Sequence, residues 1–148
     1  MITVDVENRS GVEVDEAGAV ELAGRVLRAE GIEDGELGIA FVGADEMRGL
    51  KRDHLGIDES TDVLSFPIDG RDELPDGVPR ALGDVVLCPE VVGEEWRWPL
   101  AHGLLHLLGY DHGAAMEARE RELLATGVGS TEPAKSEGGG LAAPGSGA

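Results

Sequence analysis

The chain has 148 residues, enough for one domain with one core. Twelve Lys and Arg stand against 30 Asp and Glu, a formal charge of −18, and aromatic residues make up only 3%, so aliphatic side chains must build that core. The single cysteine, Cys88, excludes an internal disulfide and a multi-cysteine metal site. No apolar run reaches the roughly 18–20 residues of a membrane span. The opening MITVDVENRS lacks the basic-then-apolar pattern of a secretory signal. The expectation is a cytoplasmic protein with no membrane partner. Such acidity repels nucleic acid at long range. It equally suits a protein kept soluble in a salty cytoplasm, where surface charge is screened over a few ångströms, and composition leaves both readings open.

Ile2, Val4 and Val6 alternate with polar residues and predict a strand over 2–7, followed by a turn from Asn8 to Gly11. Residues 16–30 read as a helix with Asp15 as its cap, Gly31 as its stop, and Val20, Ala23, Val26 and Leu27 on the inner face. Leu37 to Val42 is a short apolar run ended by Gly43, a buried strand. Asp45 caps a short helix over 46–53, with Met47 and Leu50 inward and Arg48, Lys51 and Arg52 outward. Val63 to Phe66 is a strand stopped by Pro67, residues 69–80 an exposed loop, and Leu82 to Cys88 a strand ended by Pro89.

A helical turn or two follows over 90–97, then an apolar helix over 100–108 and an amphipathic one over 114–125 with Glu117, Glu120 and Arg121 outward. Residues 126–148 are small, Gly-rich and Pro-containing, too poor in apolar surface to offset chain entropy, and read as a disordered tail to a domain over 1–125. About four strands interleave with about four helices, which fits α+β or α/β.

Three of the four histidines fall within HGLLHLLGYDH: His102, His106 and His112. On a helix the first two lie about 40° apart round the axis and roughly 6 Å apart along it, on one face. That spacing lets two imidazoles share one metal ion. A continuing helix would carry His112 about 240° round. Gly109 tolerates the left-handed conformation that ends helices, so the chain can return His112 as a third ligand. Three imidazoles without a fourth protein ligand leave a position open, the pattern of a catalytic zinc that activates water. Fe²⁺ or Ni²⁺ would also suit imidazole, and zinc is preferred. The competing reading is of buried histidines that are merely hydrogen-bonded. The spacing also occurs in metzincin proteases, but those carry a Glu directly after the first His, where this chain has Gly103.

HGLLHLLGYDH resembles the signature of the bacterial YbeY family, metal-dependent endoribonucleases of rRNA maturation. Upstream, TDVLSFP at Thr61–Pro67 and LGDVVLC at Leu82–Cys88 resemble the family's two other characteristic segments, in the family's order. The resemblance covers about residues 36–125. It implies a single small α+β domain with a mixed sheet, helices on its faces and the metal helix at a cleft. It implies one Zn²⁺ on His102, His106 and His112. It implies cleavage of single-stranded RNA in maturation of the 3′ end of the small-subunit rRNA and in ribosome quality control. The partners it implies are rRNA and the ribosome, with a ribosomal protein and an assembly GTPase as further candidates, and no DNA.

Two positions depart from the family pattern. Where the family carries Tyr-Arg this chain has His54-Leu55, and Arg52, one helical turn earlier, is the candidate catalytic arginine in its place. The Arg48–Lys51–Arg52 patch is then expected to flank the metal cleft. The stretch between Cys88 and His102 is about ten residues shorter than the family's, so the helix before the metal helix is expected to be curtailed or merged with it.

Four other residues have two readings each. Asp111 either orients a ligand histidine or forms the turn. Ser65 either faces the cleft or bonds to backbone. Asp84 reads as a buried partner at the start of its strand in preference to a site group. Cys88 reads as a small core residue in preference to a fourth ligand. Besides the endoribonuclease, two functions fit: a ribosome-assembly factor that no longer cuts, and a metallohydrolase of another substrate.

Overall fold

The computed structural model describes residues 1–54, 63–111 and 113–125. Their elements run β1 (Ile2–Asn8), α1 (Glu16–Ala29), β2 (Gly35–Phe41), α2 (Ala44–His54), β3 (Val63–Pro67), β4 (Ala81–Leu87), α3 (Pro89–Val92), α4 (Arg97–Leu107) and α5 (Ala114–Ala125). The sheet order is β1-β2-β4-β3. β1, β2 and β4 are parallel, and β3 pairs antiparallel with β4 at the edge, Ser65 opposite Val85. This is an α+β domain with a mixed sheet, as the family resemblance implies.

Alternation along the strands divides the sheet into two faces. Leu37, Ile39 and Phe41 of β2, Val63 of β3, and Val85 and Leu87 of β4 enter the main core with α1, α4 and α5. Leu64, Val86 and Cys88 point the other way and form a smaller core with Val42, Met47 and Leu50. α2 therefore covers the opposite face of the sheet from α4. Cys88 is fully buried there, a core residue with the sheet between it and the histidines.

Three local expectations change. In α1, Ala23, Val26 and Leu27 face inward as expected, joined by Ala19 and Leu22, while Val20 is exposed. Asp15 does cap that helix, accepting from Gly18 N at 2.9 Å. Asp45 lies inside the first turn of α2 and not before it. The apolar helix begins at Arg97, because Pro99 sits in its first turn, where a missing N–H costs no helical hydrogen bond. The preceding helix is curtailed to the four residues of α3, as the short stretch implies.

α4 is buried on nearly every side: Pro99, Leu100, Ala101, Gly103, Leu104, Leu105, His106 and Leu107 all lie inside. It rests on β3 and β4 between α1 and α5. Gly103 makes that seat possible. A Cβ there would stand 2.8 Å from Val85 Cγ1, 3.1 Å from Ser65 Oγ and 3.2 Å from Val63 Cγ2. Ser65, fully buried, donates its hydroxyl to Gly103 O at 3.1 Å and pins β3 to the helix between the two histidines.

Ala is ordinarily a better helix former than Gly by up to about 1 kcal/mol. Here the added methyl overpacks the helix–sheet seam, so Gly103→Ala is expected to destabilise by about 1–3 kcal/mol. Thermal melting checks it: an unchanged or raised midpoint would mean the helix rides off the sheet at no cost.

Candidate metal centre

His102 and His106 project from successive turns of α4 with ring centroids 4.8 Å apart and planes at 88°. Burying an imidazole is costly unless its nitrogens find partners, and each ring is held at Nδ1. His102 Nδ1–H donates to Glu120 Oε2 at 2.6 Å. His106 Nδ1–H donates to the main-chain oxygen of Tyr110 at 3.0 Å. A carbonyl and a carboxylate can only accept, so the proton of each neutral ring sits on Nδ1 and the lone pair on Nε2.

The local fold explains both partners. After Leu108, Gly109 takes φ +99°, and the chain turns back so that Gly109 N reaches His106 O and Tyr110 N reaches Leu105 O, each at 3.0 Å. This paired closure ends helices at a left-handed glycine, and it swings Tyr110 O under His106. Glu120 comes from α5. Met116, Glu120 and Leu123 are its buried residues, spaced four and three apart on one face. The expectation that Glu120 points outward is therefore corrected: its side chain is 1% exposed because its carboxylate serves the His102 ring. Glu117 and Arg121 are exposed as expected.

The donor set fits a divalent ion. Metal-ligating histidines characteristically give their second nitrogen to a carboxylate or carbonyl, which sets tautomer and ring orientation, and both rings do so here. Among the described residues no group of three or more His, Cys, Asp or Glu is arranged to hold a metal. The predicted third ligand, His112, lies outside them, as do Leu55, Thr61, Asp62 and the tail 126–148. Beside His106, a groove of about 340 Å³ opens between residues 67–72 and the closing turn of α4.

The remaining candidates fall as follows. Asp111 is exposed, and the partners that hold His102 and His106 at Nδ1 are Glu120 and Tyr110 O. Ser65 makes the backbone bond described above. Asp84 is exposed, contrary to expectation: it faces Gly38 across the β2–β4 pair, and with no side chain at Gly38 its carboxylate lies over the open sheet.

Arg52, three-quarters exposed at the end of α2, donates from Nε to Asp53 Oδ1 at 3.1 Å, and Arg48 pairs with Asp45. The expectation that this patch flanks the metal cleft is corrected: it rides on α2, which packs on the face of the sheet opposite α4. Arg119 is no ordinary surface cation. It donates to Glu30 and to Glu122 Oε1, which hold its guanidinium above its usual pKa. Tyr110, whose hydroxyl donates to Glu30 Oε1 at 3.0 Å, is pushed above the usual phenol value by burial and by that bond.

A small α+β domain that carries a histidine pair of metal-ligand spacing on a buried helix is the class these features define. The family described as Endoribonuclease YbeY matches residues 5–127. A protein of that name from Beutenbergia cavernae is 42% identical over 146 residues, covering 84% of this chain and 97% of that one. Another from Halorhodospira halophila is 45% identical over 111 residues, covering 62% and 70%. The solution structure of TM1509 from Thermotoga maritima shares the fold at TM-score 0.50 and 23% identity, covering 82% of this chain and 87% of that one. The chain belongs to the Endoribonuclease YbeY family.

If His102 ligates zinc, Glu120→Ala should weaken that binding about 10- to 100-fold, the usual effect of losing an outer partner of a ligand histidine. Glu120→Gln, which still accepts the His102 proton, should recover most of it. Competition with a chromophoric chelator measures both, and equal affinities for wild type and Glu120→Ala would mean that packing alone orients the ring.

Proposed function

We propose that this protein is a zinc-dependent endoribonuclease acting on single-stranded regions of rRNA, in maturation of the small-subunit 3′ end and ribosome quality control. The observation that carries the reading is the histidine pair with both Nδ1 atoms held, on the helix of a chain belonging to a family named for endoribonuclease activity. His102, His106 and His112 would hold the ion. When bound, zinc supplies Lewis-acid stabilisation of charge on a phosphate oxygen. Glu120 and Tyr110 O keep the ligand rings aimed through the reaction. RNA brings its own 2′-hydroxyl, so the lack of a carboxylate at Gly103, fatal to the protease reading, does not preclude phosphodiester cleavage.

Arg52 is the cation we assign to the substrate's phosphates. RNA is a long ligand, and a cation on α2 suits a phosphate some nucleotides from the cut. The proposed partners are rRNA and the ribosome, with a ribosomal protein and an assembly GTPase as further candidates, which makes the protein cytoplasmic. No helix among the described residues is long and apolar enough to cross a membrane. Residues 1–125 form the working domain in this reading, and 126–148 a dispensable tail. Leu55 in place of the family arginine favours a second reading, an assembly factor that binds without cutting.

Metal analysis with single-turnover cleavage of a single-stranded RNA separates the two. The expected result is about one zinc per chain, with cleavage abolished by chelator and by the His102→Ala, His106→Ala double variant. Zinc retained near stoichiometry by the double variant would overturn the site. RNA bound but uncut by the zinc-loaded protein would favour the assembly factor.

Removing one cation that neutralises a phosphate should lower the slope of log K against log salt by about 0.7 for a single strand. Arg52→Ala is expected to weaken RNA binding and flatten that slope with zinc content unchanged. Arg25→Ala, on α1 and paired with Glu21, serves as the control, since Arg119 is engaged elsewhere. Equal effects from the two would make Arg52 ordinary surface.

A further inference from the structure

We propose that Glu30 is a positioning residue for the metal centre, acting through Tyr110 on His106. The inference rests on the metal reading above and extends it to a residue 80 positions from Tyr110 in the chain.

Glu30 caps the C-terminus of α1, and its side chain is 4% exposed. The carboxylate receives three donors: Tyr110 OH at 3.0 Å, Arg71 Nη2 at 2.6 Å and Arg119 Nε. Both guanidinium groups continue into main chain. Arg71 donates from Nη1 to Glu30 O at 3.0 Å and from Nε to Leu108 O at 3.2 Å, and Arg119 donates from Nη2 to Ala29 O at 3.1 Å. One carboxylate thus joins α1, the segment between β3 and β4, α5, and the closing turn of α4.

What the node grips is the short stretch that answers His106. Leu108 is held through its oxygen by Arg71. Tyr110 is held at three points: its hydroxyl by Glu30, its N–H by Leu105 O, and its carbonyl oxygen against His106 Nδ1–H. Hydrogen bonds weaken steeply as they bend, so the aim of the His106 ring depends on where Tyr110 O is kept. The same stretch leads two residues on to His112 in the sequence. A buried carboxylate is costly unless well paired. An apolar contact would hold α1 to α4 equally well, so the choice of Glu with two arginines and a phenol marks a device that fixes direction as well as distance.

A plain staple between helices and a positioning device differ in one observable. Losing a staple lowers the stability of the folded chain but leaves zinc affinity intact once the chain is folded. Losing a positioning residue lowers the affinity itself. The test is zinc affinity of the metal-free full chain, by chelator competition well below each melting midpoint, for wild type, Glu30→Ala, Glu30→Gln, Tyr110→Phe and Leu22→Ala. Leu22 lies in the core face of α1 and serves as the purely structural control. Outer partners of ligand histidines are worth 10-fold or more, and a group one bond further out should retain part of that. Glu30→Ala and Tyr110→Phe are expected to bind zinc at least roughly fivefold more weakly, Glu30→Gln to recover part of the loss as an acceptor of the same length, and Leu22→Ala to melt earlier with affinity within about twofold of wild type.

Tyr110→Phe removes a single oxygen and decides the matter if Glu30→Ala fails to fold. A loss below about fivefold in Tyr110→Phe overturns the proposal, as does an equal loss in Leu22→Ala, which would reduce the effect to general loosening. A wild type that binds no zinc overturns the metal reading itself, a result distinct from a wild type and Tyr110→Phe that bind alike.

Discussion

An imidazole inside a packed helix has to have its ring nitrogens answered, and the organisation of this domain follows from how two of them are answered at once. α4 is seated against sheet and helices along most of its length; His106 is buried and His102 partly so, and both rings take partners from the protein. Their Nδ1 protons go to Glu120 Oε2 and Tyr110 O. Those two acceptors come from different places, one from a neighbouring helix and one from the chain's own reversal at Gly109. Each consequently dictates something about the fold: that α5 lies alongside α4 in the register that buries residue 120, and that α4 stops at Leu107. With Nδ1 of both rings engaged, Nε2 is the nitrogen through which we propose they bind a metal.

The surrounding structure acts to keep that helix still. Gly103 lets its backbone sit directly on Val85 and Val63, and the Ser65 hydroxyl ties its main chain to the edge strand. Side chains in a close-packed interior have few alternative rotamers, so a helix fixed at its midpoint transmits that fixity to residues 102 and 106 on either side. The far end is held by the ionic node on Glu30, which draws in α1, α5 and the β3–β4 segment. The acidity of the chain fits this division: its cations are few, and Arg71 and Arg119 are committed to carbonyls and carboxylates around the site.

The fold class and the histidine-bearing helix are legible in the sequence because they rest on periodicity and on glycine chemistry, which are local. The H-x₃-H spacing with Gly109 beyond it specifies ring pair and helix stop without reference to the rest of the chain. Glu120 escapes such reading because a charged residue on an amphipathic helix is placed outside by default. The signal that identifies it is its position between Met116 and Leu123 on a single stripe. The roles of Glu30, Arg71 and Arg119 have no local signal at all, since the hydrogen bonds that define them span 37 to 90 residues. Asp84 is illegible for a similar reason: its exposure is decided by Gly38 on a neighbouring strand.

The central claim is that outer hydrogen bonds preset both rings for coordination through Nε2. Long-range ¹⁵N–¹H correlation spectra of the histidine side chains test it most directly, on the full chain at neutral pH before and after zinc is added. The account predicts that His102 and His106 are both in the Nδ1–H tautomer in the metal-free protein, and that zinc moves the Nε2 resonances while Nδ1 keeps its proton. Either ring in the Nε2–H tautomer without metal, or Nε2 resonances unmoved by zinc, would contradict it.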